Sequence, residues 1–344
     1  MIPHRLAATA VAAAALIVTV CVLLAVALGG SSPDAAASAV ASSHSALSSD
    51  NATGTGPGSG PPQVPANGSA YIGLDGDPDT IGAFDAEAGI GKPAIRGGYV
   101  PVGGDFASFL DDFDPRQGTA PMVSWKIDFT AGKVTSGRLD GYLRKQADEA
   151  RTYGGPVFLR PDWEMNGNWM QLWSLPAVTP AQYVASWQHV VDIFRHEGVH
   201  NVAFVWSPNA ARYWQYAESA WYPGDQYVSW FAVDGYPRVS SGTSILTEPD
   251  GLNAVAQLAH AHGKPLMLAE WAATLPDPDD GWAFDLVFDW AKAYPDTVKA
   301  LVYFDYGTAD NDHLLSDHPA GAAEFRYLID HGHPKAVLSV AAAQ

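Results

Sequence analysis

The sequence predicts a (β/α)8 barrel, set behind an N-terminal hydrophobic segment and a disordered linker. Three observations carry this reading. Short apolar runs recur from Ala70 onward, most without polar alternation, as parallel strands covered on both faces do. Helical stripes lie between most of them, and eight such units fit the ~250 residues typical of this barrel. By contrast, Gly29 to Gly68 is rich in Ser, Ala, Gly and Pro, with almost no aromatic or charged residue. Such a stretch cannot bury enough apolar surface to offset its ordering entropy.

Residues 1–29 read as a signal peptide or a signal anchor. Leu6 to Leu28 is an almost unbroken apolar run, about long enough to span a bilayer. Ala25-Val-Ala27 is an acceptable cleavage site within it. Either outcome exports the remainder, because Arg5 would stay inside. An extracellular protein follows, secreted or tethered to the membrane through residues 6–28. Cys21 is the only cysteine and lies inside the run, so the exported part must rely on core burial. Residues 30–69 read as the linker, 70–335 as the barrel domain and 336–344 as a tail.

Within the domain, the candidate strands are Tyr71–Leu74, Ala94–Val100, Pro121–Ile127 and Val157–Arg160, then Val202–Trp206, Phe231–Asp234, Leu266–Ala269 and Ala300–Phe304. Leu139, Tyr142, Leu143 and Ala147 share a helical face. Thr179-Pro180 is a cap and first-turn pair for a helix carrying Val184, Trp187, Val190, Val191 and Phe194. Asp250 is placed to cap a helix that Gly263 ends. Further stripes are Trp282, Leu286, Val287 and Trp290, and Phe325, Leu328 and Ile329. The weakest units are the first helix, near Asp79 to Ala88, and the patchily helical stretch from Tyr213 to Trp230. A doubly wound sheet is the alternative, but Gly73-Leu-Asp-Gly76 does not supply its phosphate-binding turn.

The net charge of -18 argues against nucleic acid and other polyanions as partners and suits a neutral ligand. All twelve Trp lie between Trp125 and Trp290. Aromatic faces of this kind hold neutral sugars, whose C–H surfaces stack on them. No long apolar edge demands a partner, so a monomer is expected.

Barrel chemistry sits at the carboxyl ends of the strands. Two segments put a Glu there beside Trp: Phe158-Leu-Arg-Pro-Asp-Trp-Glu-Met-Asn-Gly-Asn-Trp169 and Pro265-Leu-Met-Leu-Ala-Glu-Trp271. A pair of carboxylates is what glycosidic-bond cleavage needs. Glu164, turned by Met165-Asn-Gly-Asn168, is the candidate acid/base, and Trp163 and Trp169 would exclude water and raise its pKa. Glu270, pinned at a strand end, is the candidate nucleophile, and an ion pair with an Arg such as Arg160 would keep it charged. Tyr236 could orient Glu270. Asp234 and Asn166 could bind sugar hydroxyls. Trp206 and Asn209 are candidates to line the cleft, with Trp163, Trp169 and Trp271 as sugar platforms. The retaining mechanism predicts carboxyl groups roughly 5–5.5 Å apart.

Other chemistries lack their motifs. His260-Ala-His262 and His331-Gly-His333 are wrongly spaced for a metal on one helix face, and Asp277-Pro-Asp-Asp-Gly281 lacks the length and final Glu of a calcium loop. No metal or cofactor is expected.

The order of motifs resembles glycoside hydrolase family 26, a retaining (β/α)8 family acting on β-mannans, mixed-linkage β-glucans and, in some members, β-xylan. The resemblance runs through Leu139-Asp-Gly-Tyr-Leu-Arg144, Pro156-Val-Phe-Leu-Arg-Pro161, Glu164-Met-Asn-Gly167, Val202-Ala-Phe-Val-Trp-Ser-Pro-Asn209, Tyr222-Pro-Gly-Asp225, Val233-Asp-Gly-Tyr236 and Lys264-Pro-Leu-Met-Leu-Ala-Glu270. It implies that Glu164 is acid/base and Glu270 nucleophile, that Tyr236 supports the nucleophile and that Trp169 shapes the cleft. Two positions depart from the family pattern. Trp163 stands where His usually precedes the acid/base. Tyr303-Phe-Asp-Tyr306 stands where a sugar-stacking Trp often follows the eighth strand. The expected function is endo-hydrolysis of a β-linked polysaccharide, with β-1,4-mannan leading. The alternatives are mixed-linkage glucan, xylan, a self-produced exopolysaccharide, or non-catalytic polysaccharide binding on the same scaffold.

Overall fold

The computed structural model describes residues 60–77, 81–89, 91–274, 277–279, 281–307 and 312–343. The hydrophobic segment and most of the linker lie outside the described residues. Eight parallel strands close into a barrel: β1 (Ser69–Gly76), β2 (Ile95–Val100), β3 (Ala120–Trp125), β4 (Val157–Pro161), β5 (Val202–Trp206), β6 (Trp230–Asp234), β7 (Leu266–Trp271) and β8 (Val298–Asp305). They run in chain order, and β1 pairs with both β8 and β2 to close the ring. All eight coincide with the apolar runs, to within a few residues at each end.

The strand period of two sorts the side chains into two layers. Met122, Phe158, Val205, Ala232, Met267 and Val302 pack in the barrel interior. Val123, Leu159, Phe204, Val233, Leu268 and Tyr303 face the helices. The helices are α1 (Ile81–Ala88), α2 (Ala107–Leu110), α3 (Asp140–Tyr153), α4 (Pro180–His196), α5 (Ser244–Thr247), α6 (Leu252–Ala261), α7 (Trp282–Ala293) and α8 (Pro319–His331). In α4, Thr179 and Gln182 form a reciprocal capping box, and Trp187, Val190, Val191 and Phe194 are buried.

Four details differ from the sequence reading. No α-helix joins β5 to β6. Pro208, Pro223 and Gly224 interrupt that stretch, and Trp221, in a 3-10 turn, covers the barrel by packing against Tyr183 of α4 at 5.7 Å. Asp250 does not cap α6; Gly251 holds that position, and the Asp250 carboxylate accepts from Arg212. The linker is structured at its end, where Tyr71 Oη donates to the Gln63 carbonyl at 2.7 Å and Lys299 Nζ to Asn67 Oδ1 at 2.9 Å. The tail is part of the sheet: β9 (Lys335–Val337) extends it beside β1, and Pro62 bridges Ala342. Among the described residues no helix is long and apolar enough to cross a membrane.

Candidate active site

Glu164 is positioned by a strained reversal after β4. Asp162 (φ 46°) and Glu164 (φ 53°) both adopt left-handed backbone, which costs on the order of 1–3 kcal/mol each. Neighbouring strands hold them there. Asp162 Oδ1 accepts from the Ile127 amide at 2.7 Å, and the Glu164 amide donates to the Ser207 carbonyl at 2.6 Å. The chain then turns at Gly167, where a Cβ would stand 2.7 Å from Trp169 Cζ2. Glycine at this position lets the Trp169 ring fold back, and its indole Nε1 donates to Glu164 Oε2 at 2.6 Å. Asn209 Nδ2, just beyond β5, donates to Glu164 Oε1 at 2.7 Å.

Glu270 reaches the mouth through a bulge in β7. Val233 pairs with Leu268, but Asp234 pairs with Glu270, so Ala269 is the extra residue. Strict alternation would turn Glu270 toward the helices; the bulge turns it inward. Its Oε1 accepts from Tyr99 Oη at 2.7 Å and from Arg160 Nη2, and its Oε2 from Tyr236 Oη at 2.9 Å. Arg160 is fully buried and also donates to Asp234 Oδ1 at 2.9 Å and to Ser124 Oγ. One carboxylate oxygen from each of Glu164, Asp234 and Glu270 lies within 4.8 Å of the others.

The two glutamates therefore sit together in unlike environments. Burial first, and the Glu270 charge second, push the Glu164 carboxyl up to about 7, against its bonds from Asn209 and Trp169. Glu270 is bound directly by a guanidinium. Burial opposes the Arg160 charge, but Asp234 and Glu270 outweigh it and hold Arg160 well above its ordinary range. An open cleft of about 570 Å³ lies over the pair, lined by Trp169, Tyr236, Arg238, Phe304 and His313. Glu164, Asp234 and Glu270 are also the set that could converge on a metal among the described residues. Arg160 already supplies a cation to two of them.

The structure brings Glu164, Glu270, Trp169, Tyr236 and Asn209 together and moves the other candidates off the cleft surface. Trp206 and Trp271 are fully buried on the helix side of the barrel. Trp206 packs against Tyr222 and Phe231, and Trp271 against Phe284, Tyr303 and Phe325. Alternation with Val205 turns Trp206 outward, and the β7 bulge that turns Glu270 inward turns Trp271 outward, so neither points to the mouth. Trp163 is buried beneath the site, 5.2 Å from Tyr99 and 5.0 Å from the Arg160 guanidinium. Asp234 is fully buried against Arg160 and Ser207, so it orders the site from below and cannot reach a sugar. Asn166 is buried too. It donates to the Asn209 and Ala211 carbonyls at 2.8 and 3.1 Å and accepts from the Asn209 amide, which fixes the loop carrying Asn209. Tyr99, Asp75 and Phe304 were not singled out from sequence. Each lies at the carboxyl end of a strand, which is the signal that could have found them.

A model of the family described as glycosyl hydrolase family 26 matches residues 121–311. Endoglucanase H of Acetivibrio thermocellus is 26% identical over 224 residues, 62% of this chain and 25% of that protein. Mannan endo-1,4-beta-mannosidase A and B of Caldalkalibacillus mannanilyticus is 32% identical over 199 residues, 54% of this chain and 36% of that protein. The chain thus spans about a quarter to a third of the length of these curated relatives. Among solved structures, GH26C from a Muricauda species aligns with TM-score 0.60 at 18% identity, covering 79% of this chain and 87% of that one. A family 26 β-mannanase from Bacteroides ovatus aligns with TM-score 0.57 at 17% identity, covering 79% and 90%. At these identities the structural likeness speaks to the fold.

Proposed function

The chain belongs to glycosyl hydrolase family 26, and on that premise we propose that it cleaves a β-linked polysaccharide internally, with retention of configuration. Glu164, protonated near neutral pH, delivers its proton to the leaving oxygen while Glu270 attacks the anomeric carbon. Water then releases the sugar, with Glu164 acting as base. Tyr99, Tyr236 and Arg160 hydrogen-bond Glu270 and keep it aimed.

The observation that carries this reading is the close approach of Glu164 and Glu270, with oxygens within 4.8 Å. Carboxyl groups that converge this closely suit direct attack by one of them on the anomeric carbon. β-1,4-Mannan is the leading substrate, supported by the relative named as a mannan endo-1,4-beta-mannosidase. β-Glucan is the second reading, supported by the relative named as an endoglucanase, which matches more of this chain. The place of action is outside the cell, supported by the apolar run from Leu6 to Leu28.

Product analysis on mannan, mixed-linkage glucan and xylan tests the proposal, with anomeric configuration followed by NMR. A β-configured first product is expected. An α-configured product would overturn retention. Binding without release of reducing sugar, alike for the parent protein, Glu164→Gln and Glu270→Gln, would overturn catalysis.

A further inference from the structure

Asp75 is a buried carboxyl that the two-glutamate reaction leaves without a task. It lies near the carboxyl end of β1, is fully buried, and its Oδ2 accepts no hydrogen bond among the described residues. Its register partner across the sheet is Gly97. A Cβ there would stand 2.6 Å from Asp75 Cγ, so glycine is what leaves room for this carboxyl. Asp75 Oδ1 accepts from Tyr306 Oη at 3.2 Å, and Oδ2 lies 3.8 Å from Arg160 Nη2. That same Nη2 donates to Glu270 Oε1, as does Tyr99, the next inward residue after Gly97 on β2. Two donors thus stand between an occupied acceptor, Glu270, and an unused one, Asp75 Oδ2.

We propose that Asp75 is a positioning residue that receives the Arg160 and Tyr99 hydrogen bonds while Glu270 is esterified in the glycosyl-enzyme. The inference rests on the retaining reading above. In the first step a Glu270 oxygen bonds to the anomeric carbon, the glycosidic C–O bond breaks, and the Glu164 proton goes to the leaving oxygen. The ester carries no charge and is a weaker acceptor than the carboxylate it replaces. Arg160 would keep Asp234 as its only carboxylate at short range, and an under-compensated buried guanidinium is costly. A small turn of the guanidinium brings Nη2 to Asp75 Oδ2. Tyr99 keeps its proton and re-aims it, so no proton moves in the exchange. When water breaks the ester, the Glu270 charge returns and both donors return with it.

The electrostatics run the same way. Burial first, and the Glu270 charge second, push Asp75 up to about 7, while Arg160 and the Tyr306 and Tyr99 hydroxyls pull it down. Esterifying Glu270 removes the second of the two opposing influences. The charged form of Asp75 is therefore favoured in the state that needs it.

The test is Asp75→Asn, which keeps the shape and removes the charged acceptor. The probe is 2,4-dinitrophenyl β-mannobioside, or the β-cellobioside if the polysaccharide panel favours glucan. Its leaving group is good enough to make glycosyl-enzyme breakdown limit kcat. We expect kcat/KM, which reports formation of the glycosyl-enzyme, to fall about tenfold, the size of one hydrogen bond to a charged group. We expect kcat not to fall, KM to rise, and the pre-steady-state burst to shrink. Distortion of the site would slow both steps, so equal losses, or no loss in kcat/KM, overturn the inference. If Asp75→Asn does not melt cooperatively, Tyr306→Phe decides in its place. It removes only the hydroxyl that holds Asp75 Oδ1, and it should give the same split at smaller size; no split overturns the inference. A parent protein that hydrolyses neither probe nor polysaccharide overturns the retaining reading and this inference together. Labelling of Glu270 by a 2-deoxy-2-fluoro glycoside, with no split in the variants, overturns this inference alone.

Discussion

A carboxylate oxygen of Glu164 lies within 4.8 Å of one on Glu270, yet the two residues answer to opposite partners. Glu164 is held by neutral donors, Trp169 and Asn209, and Glu270 by Arg160 and two tyrosines. The asymmetry supports the proposed roles, and small anions can read them out. With Glu164→Ala, azide should attack the glycosyl-enzyme and give a β-glycosyl azide. With Glu270→Ala, azide should occupy the vacated nucleophile position and give the α-glycosyl azide from a substrate with a good leaving group. NMR of the two products checks this, and the reverse pairing would exchange the roles. Glu164→Gln should lower kcat on polysaccharide by about 10²–10⁴-fold. On dinitrophenyl glycosides, whose leaving group needs no proton, kcat/KM should fall far less, while kcat should still fall because breakdown of the glycosyl-enzyme needs Glu164 as base.

The pH profile should follow Glu164. In the proposed reaction, formation of the glycosyl-enzyme needs its proton, and its carboxyl is raised to about 7. kcat/KM should therefore fall as pH rises through about 7. Asn209 donates to Glu164 and favours its ionised form. Removing that donor in Asn209→Ala should raise the Glu164 pKa and move the alkaline limb to higher pH, alongside a lower maximum. Initial rates from pH 5 to pH 9 on the polysaccharide, whose leaving oxygen needs the proton, measure both. A limb that moves toward acid in the variant would contradict the assigned hydrogen bond.

The barrel was legible because its evidence is local. Apolar runs such as Val202–Trp206 and Leu266–Ala269 announce covered strands without knowledge of their neighbours. Both glutamates were legible because strand ends are where this fold keeps its chemistry. Side-chain direction was not legible. Trp271 follows Glu270 in sequence and looks like a cleft wall, but consecutive strand residues face opposite sides, and it faces α7 and α8. The bulge that turns Glu270 inward arises from register against β6, a non-local property. Tyr99 and Asp75 escaped for the same reason: their meaning lies in Arg160 and Glu270, which are remote in sequence.

That difference between the two tryptophans makes a separable prediction. Trp271→Ala removes a fully buried ring packed against Phe284, Tyr303 and Phe325, and should cost about 3–5 kcal/mol of stability. Below its lowered Tm, the folded protein should keep most of its kcat. Trp169 is 40% exposed, so Trp169→Ala should barely move Tm. It strips Glu164 of a hydrogen bond and the cleft of an aromatic wall, and should lower kcat/KM on polysaccharide by about tenfold or more. Thermal melts and kinetics on the same two preparations decide. A Trp271 variant that melts normally but has lost activity would return that residue to the cleft.

Stability should also register the pKa of Glu164. Its carboxyl, with an ordinary value of 4.5, rises to about 7 in the folded protein, chiefly through burial. Below about 4.5 it is protonated in both states and its burial carries no charge penalty. Between 4.5 and 7 the unfolded chain loses the proton while the folded protein retains it, so folding is progressively disfavoured as pH rises. Above 7 the penalty levels off, at up to about 3 kcal/mol. Gln has no charge to bury, so Glu164→Gln removes this dependence. It also presents an N–H where Asn209 or Trp169 already donates, a cost that does not vary with pH. The slope is therefore the informative quantity. The Tm of the variant relative to the parent should climb from pH 4.5 to pH 7 and then stay level. A difference that is flat across this range would mean that the folded protein does not raise the Glu164 pKa, and the proton donor would have to be sought elsewhere.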